Sequence, residues 1–391
     1  MLATTDDGGP VIRYAAAMRR AALPAIGILG LARIAGAEPW TVTMESGAEA
    51  DSNVERVVDG GPLHRIAAPA GRVGARLDDR GHLLGGGYVL GLSGLGRMVA
   101  TSQALMDNIT ENVMLLAGES RWLHPIGTGP IAAGLHLTAA DAFPITGRIG
   151  ARTFRNLGAD AVLALGLDDH HLTLELGGRD FSYKPDHAFD WRGPVANARL
   201  DVTLWQTSGK TRSLEFATTL GFEARAYGSH AIANCAPDDP NARPCSIGTA
   251  LLRRDRYQRA GLELNWTGHV VATGGYQATV INSNSYGQSL IRQRIMGSVT
   301  MELPGDIVGT ATATLQLDQY PDVVLIEKDL LHQEFTNLED ENRSSLQILL
   351  TRALSTAWSV EARGVAWRDV GNTGDATFRR ELIYAGVIYS R

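Results

Sequence analysis

Residues 214–227 alternate between apolar and polar side chains with a period of two. The even positions are Leu214, Phe216, Thr218, Leu220, Phe222 and Ala224, and the odd positions run from Glu215 to Tyr227 through Glu223 and Arg225. A period of two is the period of a β-strand, because successive side chains point to opposite faces. The stretch therefore predicts a strand that lies between an apolar environment and a charged one.

The same pattern recurs from about residue 40 to residue 391, with short turns and longer polar loops alternating between the stretches. We count about sixteen such stretches (roughly 14 to 18), and an even number of antiparallel strands of this kind is typical of a transmembrane β-barrel. The predicted fold is all-β: a closed antiparallel transmembrane barrel with short periplasmic turns and long extracellular loops. Its expected location is the bacterial outer membrane.

The pattern also predicts individual connections. Residues 78–81, Asp-Asp-Arg-Gly, form a candidate tight turn. Long loops are predicted over residues 184–197, which include Trp191, and over residues 230–254 and 323–342. The third long connection, expected at residues 141–147, is too short to fold into the bore as a constriction.

Several tryptophans are predicted to lie near the periplasmic ends of their strands. Trp40, Trp122, Trp266 and Trp358 are candidate membrane-interface residues, because an indole ring prefers the level of the lipid headgroups. Trp205 lies at the same level, but by parity it falls on the polar face of its strand.

The first residues have the features of a secretory signal peptide. Arg19 and Arg20 precede the apolar run 21–32, and the small residues 35–37 offer a cleavage site. We therefore expect a signal peptide over residues 1–37, with Met18 as a second candidate start, and a barrel over residues 38–391. A short buried helix is the alternative for the apolar run.

Two cysteines enclose one polar loop. Cys235 and Cys245 bracket a segment rich in proline and aspartate, and a disulfide of this kind persists in an oxidising compartment. A metal site would need more ligands than this loop supplies. The sequence therefore predicts a disulfide between the two cysteines.

The alternate positions that carry charged side chains predict which residues line the barrel. A charged side chain on the lipid face would cost about 2–4 kcal/mol at the midplane, so the charges are assigned to the lumen. The predicted lumen-lining residues are Glu45, Glu49, Arg72, Arg76, Glu175, Arg179, Arg199, Asp201, Glu215, Glu223, Arg225, Arg259, Glu263, Arg292, Arg294, Glu302, Glu361 and Arg363. The alternative is that these charges pair across the wall and hold a closed lumen.

In this architecture the chain resembles bacterial outer-membrane porin-like barrels along essentially its whole mature length. The resemblance implies a channel with a water-filled, mixed-charge lumen for hydrophilic solutes. In the expected lack of a long third loop, the chain is similar to polysaccharide-export barrels. The last strand departs from the family pattern, since it ends in Ser390 and Arg391 and not in an aromatic residue. The competing hypothesis is a non-conducting structural barrel that anchors a surface or motility complex.

The resemblance also indicates partners: outer-membrane lipid and lipopolysaccharide, and a periplasmic export or envelope-complex partner. The net charge of −6 and the lack of a basic block argue against nucleic acid. We expect no cofactor and no metal.

Motifs for chemistry are weak, and we expect no enzyme. Residues 208–211, Ser-Gly-Lys-Thr, lack the first glycine of a phosphate-binding loop, because position 204 is leucine. His170 and His171 follow two aspartates and are interpreted as a solvated turn, not a metal site. Asp238 and Asp239 with His230 are the only candidates for a protease of the outer-membrane type.

Overall fold

The structure is a computed structural model that describes residues 40–56, 65–100, 111–146, 149–150, 152–167, 170–208, 211–235, 245–322, 343–369 and 378–391. The signal peptide predicted over residues 1–37 and the loop predicted over residues 323–342 lie outside the described residues. Both stay predictions.

The described chain forms sixteen strands and one short 3-10 helix, His187–Phe189. The strands are β1 (Thr41–Asp51), β2 (Ala68–Leu83), β3 (Gly86–Val99), β4 (Val113–Pro125), β5 (Ile131–Pro144), β6 (Phe154–Leu167), β7 (His170–Tyr183), β8 (Trp191–Gln206), β9 (Ser213–Asn234), β10 (Ser246–Thr267), β11 (Val270–Ser283), β12 (Leu290–Leu303), β13 (Ile307–Gln319), β14 (Ser344–Ala353), β15 (Trp358–Arg368) and β16 (Arg379–Ser390). Across the described residues, no helix has the length and hydropathy needed to cross a membrane.

The strands close into one antiparallel barrel in which each strand pairs with its neighbours in sequence, and β1 pairs with β16. Beyond the ladder, the N–H of Val42 donates to the carbonyl of Arg391 at 2.8 Å, and the N–H of Arg391 returns a bond to Val42 at 2.9 Å. Closure leaves no strand edge unpaired, as a membrane requires. The predicted fold, a closed antiparallel barrel of about sixteen strands, is confirmed.

Short and long connections alternate around the barrel. Residues 84–85 join β2 to β3 and residues 268–269 join β10 to β11, whereas residues 100–112 join β3 to β4. Each connection after an odd-numbered strand is at least as long as any connection after an even-numbered strand. We call the two ends of the barrel the short-turn end, which contains Leu84 and Gly85, and the long-loop end, which contains Asp51.

Four predicted connections are wrong in their bounds, one of them because β5 continues to Pro144 and the connection predicted over residues 141–147 begins only after it. The strand β2 continues through residues 78–81, and the chain reverses at Leu84 and Gly85, both of which have positive φ. The strand β8 begins at Trp191, so this residue is not in a loop, and the loop predicted over residues 230–254 is mostly strand. At Asp78 and Arg253, polar residues near a strand end resembled a loop, although they continue the ladder and pair with Arg76 and Asp255 on the inner face.

Contacts between strands that are not neighbours identify the inner face. The guanidinium of Arg121 on β4 donates to Glu175 on β7, although β5 and β6 lie between them. Arg97 on β3 donates to Asp51 on β1 at 2.5 Å across β2. Side chains from separated strands meet only on the concave side of a closed sheet. The face that carries these charges therefore encloses the lumen.

The opposite face carries an exposed apolar belt. Leu220 is 60% exposed and Ile348 is 51% exposed, and they belong to a set of large outward side chains that includes Leu135, Leu163, Leu262, Ile295 and Ile383. A belt of this size on a closed barrel is the lipid-facing surface of an outer-membrane protein. The chain is therefore an outer-membrane barrel.

A β-bulge resolves the anomalous position of Trp205. The register between β8 and β9 shifts between Thr203 and Trp205, so the residue opposite Leu214 is Trp205. This shift places Trp205 in the same row as the outward Trp266, and the two rings stack at 5.7 Å with an interplanar angle of 2°. The parity prediction that put Trp205 on the polar face is wrong, because an extra residue reverses the alternation.

Candidate functional site: the charged inner wall

At the long-loop end the inner wall carries ion pairs that are almost fully buried. Asp51 accepts hydrogen bonds from Arg380 at 2.6 Å and from Arg97 at 2.5 Å, and Arg97 also donates to Glu49. The side chains of Asp51 and Arg380 are 0% and 1% exposed. Because β1 and β16 form the closing pair, this cluster joins the first and last strands of the barrel.

A second buried cluster combines arginines with aromatic rings. The guanidinium of Arg225 lies 4.1 Å from the ring centre of Trp191 and 3.8 Å from that of Tyr257, and it donates to Glu223 at 2.5 Å. Next to it, Arg253 lies over Tyr227 at 4.1 Å and donates to Asp255. These contacts satisfy the charges without water, since stacking on an aromatic face and a carboxylate partner both stabilise a guanidinium.

Residues of the long connections pack on the inner wall at this end. Val54 packs with the inward Ala70 and Val99. Phe378 belongs to a buried cluster with the inward Trp367 and Tyr384. Phe189 and Tyr320 pack on two further inward clusters, one around Phe181 and Trp191 and the other around Tyr257 and Leu290. Among the described residues, side chains of the long connections therefore cover part of the inner wall at this end.

The short-turn end has charges of the same kind in a different environment. Arg199 donates to Asp201 and lies 3.8 Å from Glu263, and the three side chains are between 31% and 37% exposed. Arg76 pairs with Asp78 at 2.6 Å and is similarly open. The inner wall is therefore solvated near the short turns.

The described strands hold every predicted lumen-lining residue, and the register places each of them on the inner face. The structure brings several together, including Glu45 with Arg72 at 2.5 Å and Glu223 with Arg259 at 3.1 Å. It does not bring Glu302 to another residue of the set, because Glu302 lies opposite Val308 beside a short turn. Whether these residues line a conducting path stays a prediction.

On some strands, the sequence analysis missed about as many inner-wall charges as it identified. The missed residues include Asp51, Asp78, Arg97, Glu119, Arg121, His136, Asp160, Arg253, Asp255, Asp318 and Arg380. Some lie on glycine-rich or weakly patterned strands, and others lie at strand ends that resembled loops. The residues at strand ends would have been found by extending the inward and outward alternation of each strand by a few residues.

The remaining predicted positions lie at the two ends of the barrel. Cys235 and Cys245 form a disulfide in the connection between β9 and β10, as predicted. The four candidate interface tryptophans, Trp40, Trp122, Trp266 and Trp358, lie at or beside the short-turn ends of their strands. Their role at the headgroup level stays a prediction. Residues 168–169 and 238–239, which belong to the weak metal and protease motifs, lie outside the described residues.

No protein-family model and no curated protein sequence matches the chain. Similar solved structures include OprB of Pseudomonas putida at high pH, with 8% identity, a TM-score of 0.48, and coverage of 91% of this chain and 94% of that one. The OmpF of Salmonella typhi in complex with daunomycin shows 7% identity, a TM-score of 0.43, and coverage of 90% and 97%. The Pseudomonas putida toluene transporter TodX shows 8% identity, a TM-score of 0.35, and coverage of 92% and 90%. The fold assignment rests on the strand pairing of the chain itself.

Proposed function

We propose that the barrel is an outer-membrane channel that passes hydrophilic solutes or polysaccharide through a water-containing, mixed-charge lumen. The observation that carries the proposal is the closed wall of sixteen strands with ion-paired charges inside and an apolar belt outside. Barrels of about 16 to 18 strands enclose a bore too wide for wall side chains alone to fill. The inner-wall charges act as an electrostatic lining and not as catalysts.

The two ends of the lumen have different parts in this proposal. The long-loop end faces outward from the cell, as in barrels with long extracellular loops. Solute enters from the solvated short-turn end, where Arg199, Asp201 and Glu263 are exposed. A solute that leaves at the long-loop end then passes the inward clusters that contain Val54 and Phe378. Lipid, lipopolysaccharide and a periplasmic export partner are the expected contacts, and we expect no catalysis.

A second candidate function is a non-conducting barrel that anchors a surface or motility complex. The packed long-loop end favours it, because the connection residues Val54, Phe189, Tyr320 and Phe378 all lie on inward clusters. In that case the outer rim and the long loops carry the function, and the ion pairs of the lumen serve only to hold the wall together.

Planar-bilayer recording separates the two candidates. The full chain, purified in detergent and shown to be folded by its heat-modifiable migration on a gel, is added to a bilayer. Stable single-channel openings at moderate voltage support transport. A folded barrel that inserts into the bilayer and stays silent, including in a variant with Phe378→Ala, would contradict it and favour the anchor.

Charge reversal in the lumen tests the lining. Arg292 is held by Asp318 at 3.0 Å, and Arg294 donates to the amide oxygen of Gln316 at 2.7 Å. Replacing both arginines with glutamate removes two positive charges and adds two negative ones, so we expect the reversal potential to shift toward cation selectivity. Arg256→Glu, on the outer face, is the matched control and should leave selectivity unchanged. An unchanged reversal potential in the double variant would contradict the assignment of these two arginines to the lumen.

A further inference from the structure

One inward cluster, on β5, β6 and β7, combines three metal-ligand types at close range. His136, Asp160 and Glu175 each offer one ligand atom, and these atoms all lie within 4.8 Å of one another. The Nδ1 atom of His136 is 3.5 Å from Glu175 Oε1 and 3.6 Å from Asp160 Oδ2. His136 itself is 9% exposed. The cluster lies between the packed end and the solvated end of the lumen.

The hydrogen bonds of His136 fix which ring nitrogen faces the two carboxylates. Its Nε2 atom is 2.9 Å from Glu119 Oε1, and a carboxylate only accepts, so Nε2 carries a proton. The Nδ1 atom is buried and makes no hydrogen bond. The Nδ1 atom therefore faces one oxygen each of Asp160 and Glu175.

Neither contact of Nδ1 has the length of a good hydrogen bond. A hydrogen bond between a charged N–H and a carboxylate is usually about 2.7–2.9 Å long, whereas both separations here are at least 3.5 Å. Two ligand atoms bound at about 2.0–2.2 Å to one tetrahedral ion lie about 3.3–3.6 Å apart. The nitrogen-to-oxygen separations are thus close to those around a bound cation.

The surrounding residues resemble the outer shell of a metal site. A metal-bound histidine usually donates its other N–H to a carboxylate, which is the arrangement of His136 with Glu119. Arg179 donates to both oxygens of Asp160 at 2.7 Å, and Arg121 donates to Glu175. The two guanidiniums hold the carboxylates in place and offset part of their charge.

We propose that His136, Asp160 and Glu175 bind a divalent transition-metal ion of the Zn²⁺ class on the inner wall of the barrel. Mixed nitrogen and carboxylate ligands suit Zn²⁺, and three protein ligands leave one position open to water. The ion reaches the site from the lumen, where the side chain of Glu119, opposite Thr138 in the middle of β4, is 45% exposed. The site departs from the sequence expectation of no metal, because its three residues lie on three different strands.

The test uses the full chain, folded in detergent without a polyhistidine tag and freed of metal with EDTA. Zn²⁺ is titrated calorimetrically, and Co²⁺ is added in parallel because four-coordinate Co²⁺ absorbs visible light. We expect one Zn²⁺ per chain. His136→Gln should weaken binding at least about 100-fold, and Glu119→Gln, which changes only the outer shell, about 10-fold to 100-fold.

His187→Gln is the matched control. His187 also contacts a carboxylate, Asp190, at 2.9 Å, but it is exposed and lies in a connection. The control should bind Zn²⁺ as the unaltered chain does. The proposal is wrong if the unaltered chain binds no Zn²⁺, or if His136→Gln and Glu119→Gln both bind as tightly as His187→Gln. Should His136→Gln fail to fold, the solvent-accessible Glu119→Gln decides the matter by the same comparison.

Discussion

The two ends of the inner wall contain the same residue types in opposite environments. At the long-loop end, Asp51 and Arg380 are buried and paired, and connection residues such as Phe378 pack over the wall. At the short-turn end, Arg199, Asp201 and Glu263 pair while remaining partly exposed. The same alternation of apolar and charged residues therefore serves two purposes. One end is built as a protein interior, and the other as a wall facing water.

The difference shows what a charge on the inner face of a barrel contributes. A buried ion pair is strongly destabilising to break, because its removal leaves an uncompensated charge away from water. An exposed pair contributes little to stability and acts through its electrostatic field. We therefore expect the charges of the long-loop end to contribute more to stability than those of the short-turn end.

The largest expected effect is at Asp51. Asp51→Asn removes the carboxylate that accepts from Arg380 and Arg97, so we expect the free energy of unfolding to fall by about 3–5 kcal/mol. Asp201→Asn at the short-turn end is the matched substitution and should cost less than about 1 kcal/mol. Urea unfolding of the barrel in phospholipid vesicles measures both. Equal losses of unfolding free energy in the two variants would contradict the distinction between the two ends.

A smaller effect is expected where the connections pack on the wall. Phe378 is 1% exposed within an inward cluster, so Phe378→Ala should cost about 3 kcal/mol by leaving a cavity. Leu354, in a short turn, is 61% exposed, and Leu354→Ala should change stability by no more than about 0.5 kcal/mol. The same unfolding assay applies. A neutral Phe378→Ala would show that the packing of Phe378 on the inner wall adds no stability.

The smallest effect concerns the shape of a cation. Arg225→Lys keeps the charge beside Glu223 but loses the planar group between Trp191 and Tyr257, so we expect a loss of about 1–2 kcal/mol. Arg199→Lys, at the solvated end, should be close to neutral. Comparing the unfolding midpoints of the two variants sharpens the contrast. An unchanged unfolding midpoint in Arg225→Lys would mean that the stacking of Arg225 adds no stability.

The sequence was sufficient for the architecture because hydrocarbon imposes a strict rule on each strand. A row such as Leu220 and Phe222 must face lipid, so its neighbours Glu223 and Arg225 must face inward, and the strand count followed from repeating this pattern. The ends of the strands were less predictable. A polar inward residue such as Asp255 looks like a loop residue when its partners are unknown.

The clusters on the inner wall could not be predicted from the sequence, for a geometric reason. His136, Asp160 and Glu175 lie on three strands, and Arg121 meets Glu175 across two intervening strands. These contacts depend on the curvature of the closed wall and on the register of each pair, which a periodicity along one strand does not contain. The bulge before Trp205 is a similar case, since one extra residue reverses the parity of its neighbours.

The central claim is that the apolar face meets hydrocarbon and the charged face meets water. On β14, Leu350 points outward and the next residue, Thr351, points inward near the short-turn end. Single cysteines at these positions, in a chain whose two native cysteines are already joined, are labelled in vesicles. We predict that Thr351→Cys reacts with a water-soluble maleimide, and that a fluorophore at Leu350→Cys is quenched by brominated lipid. The reverse pattern would contradict the account.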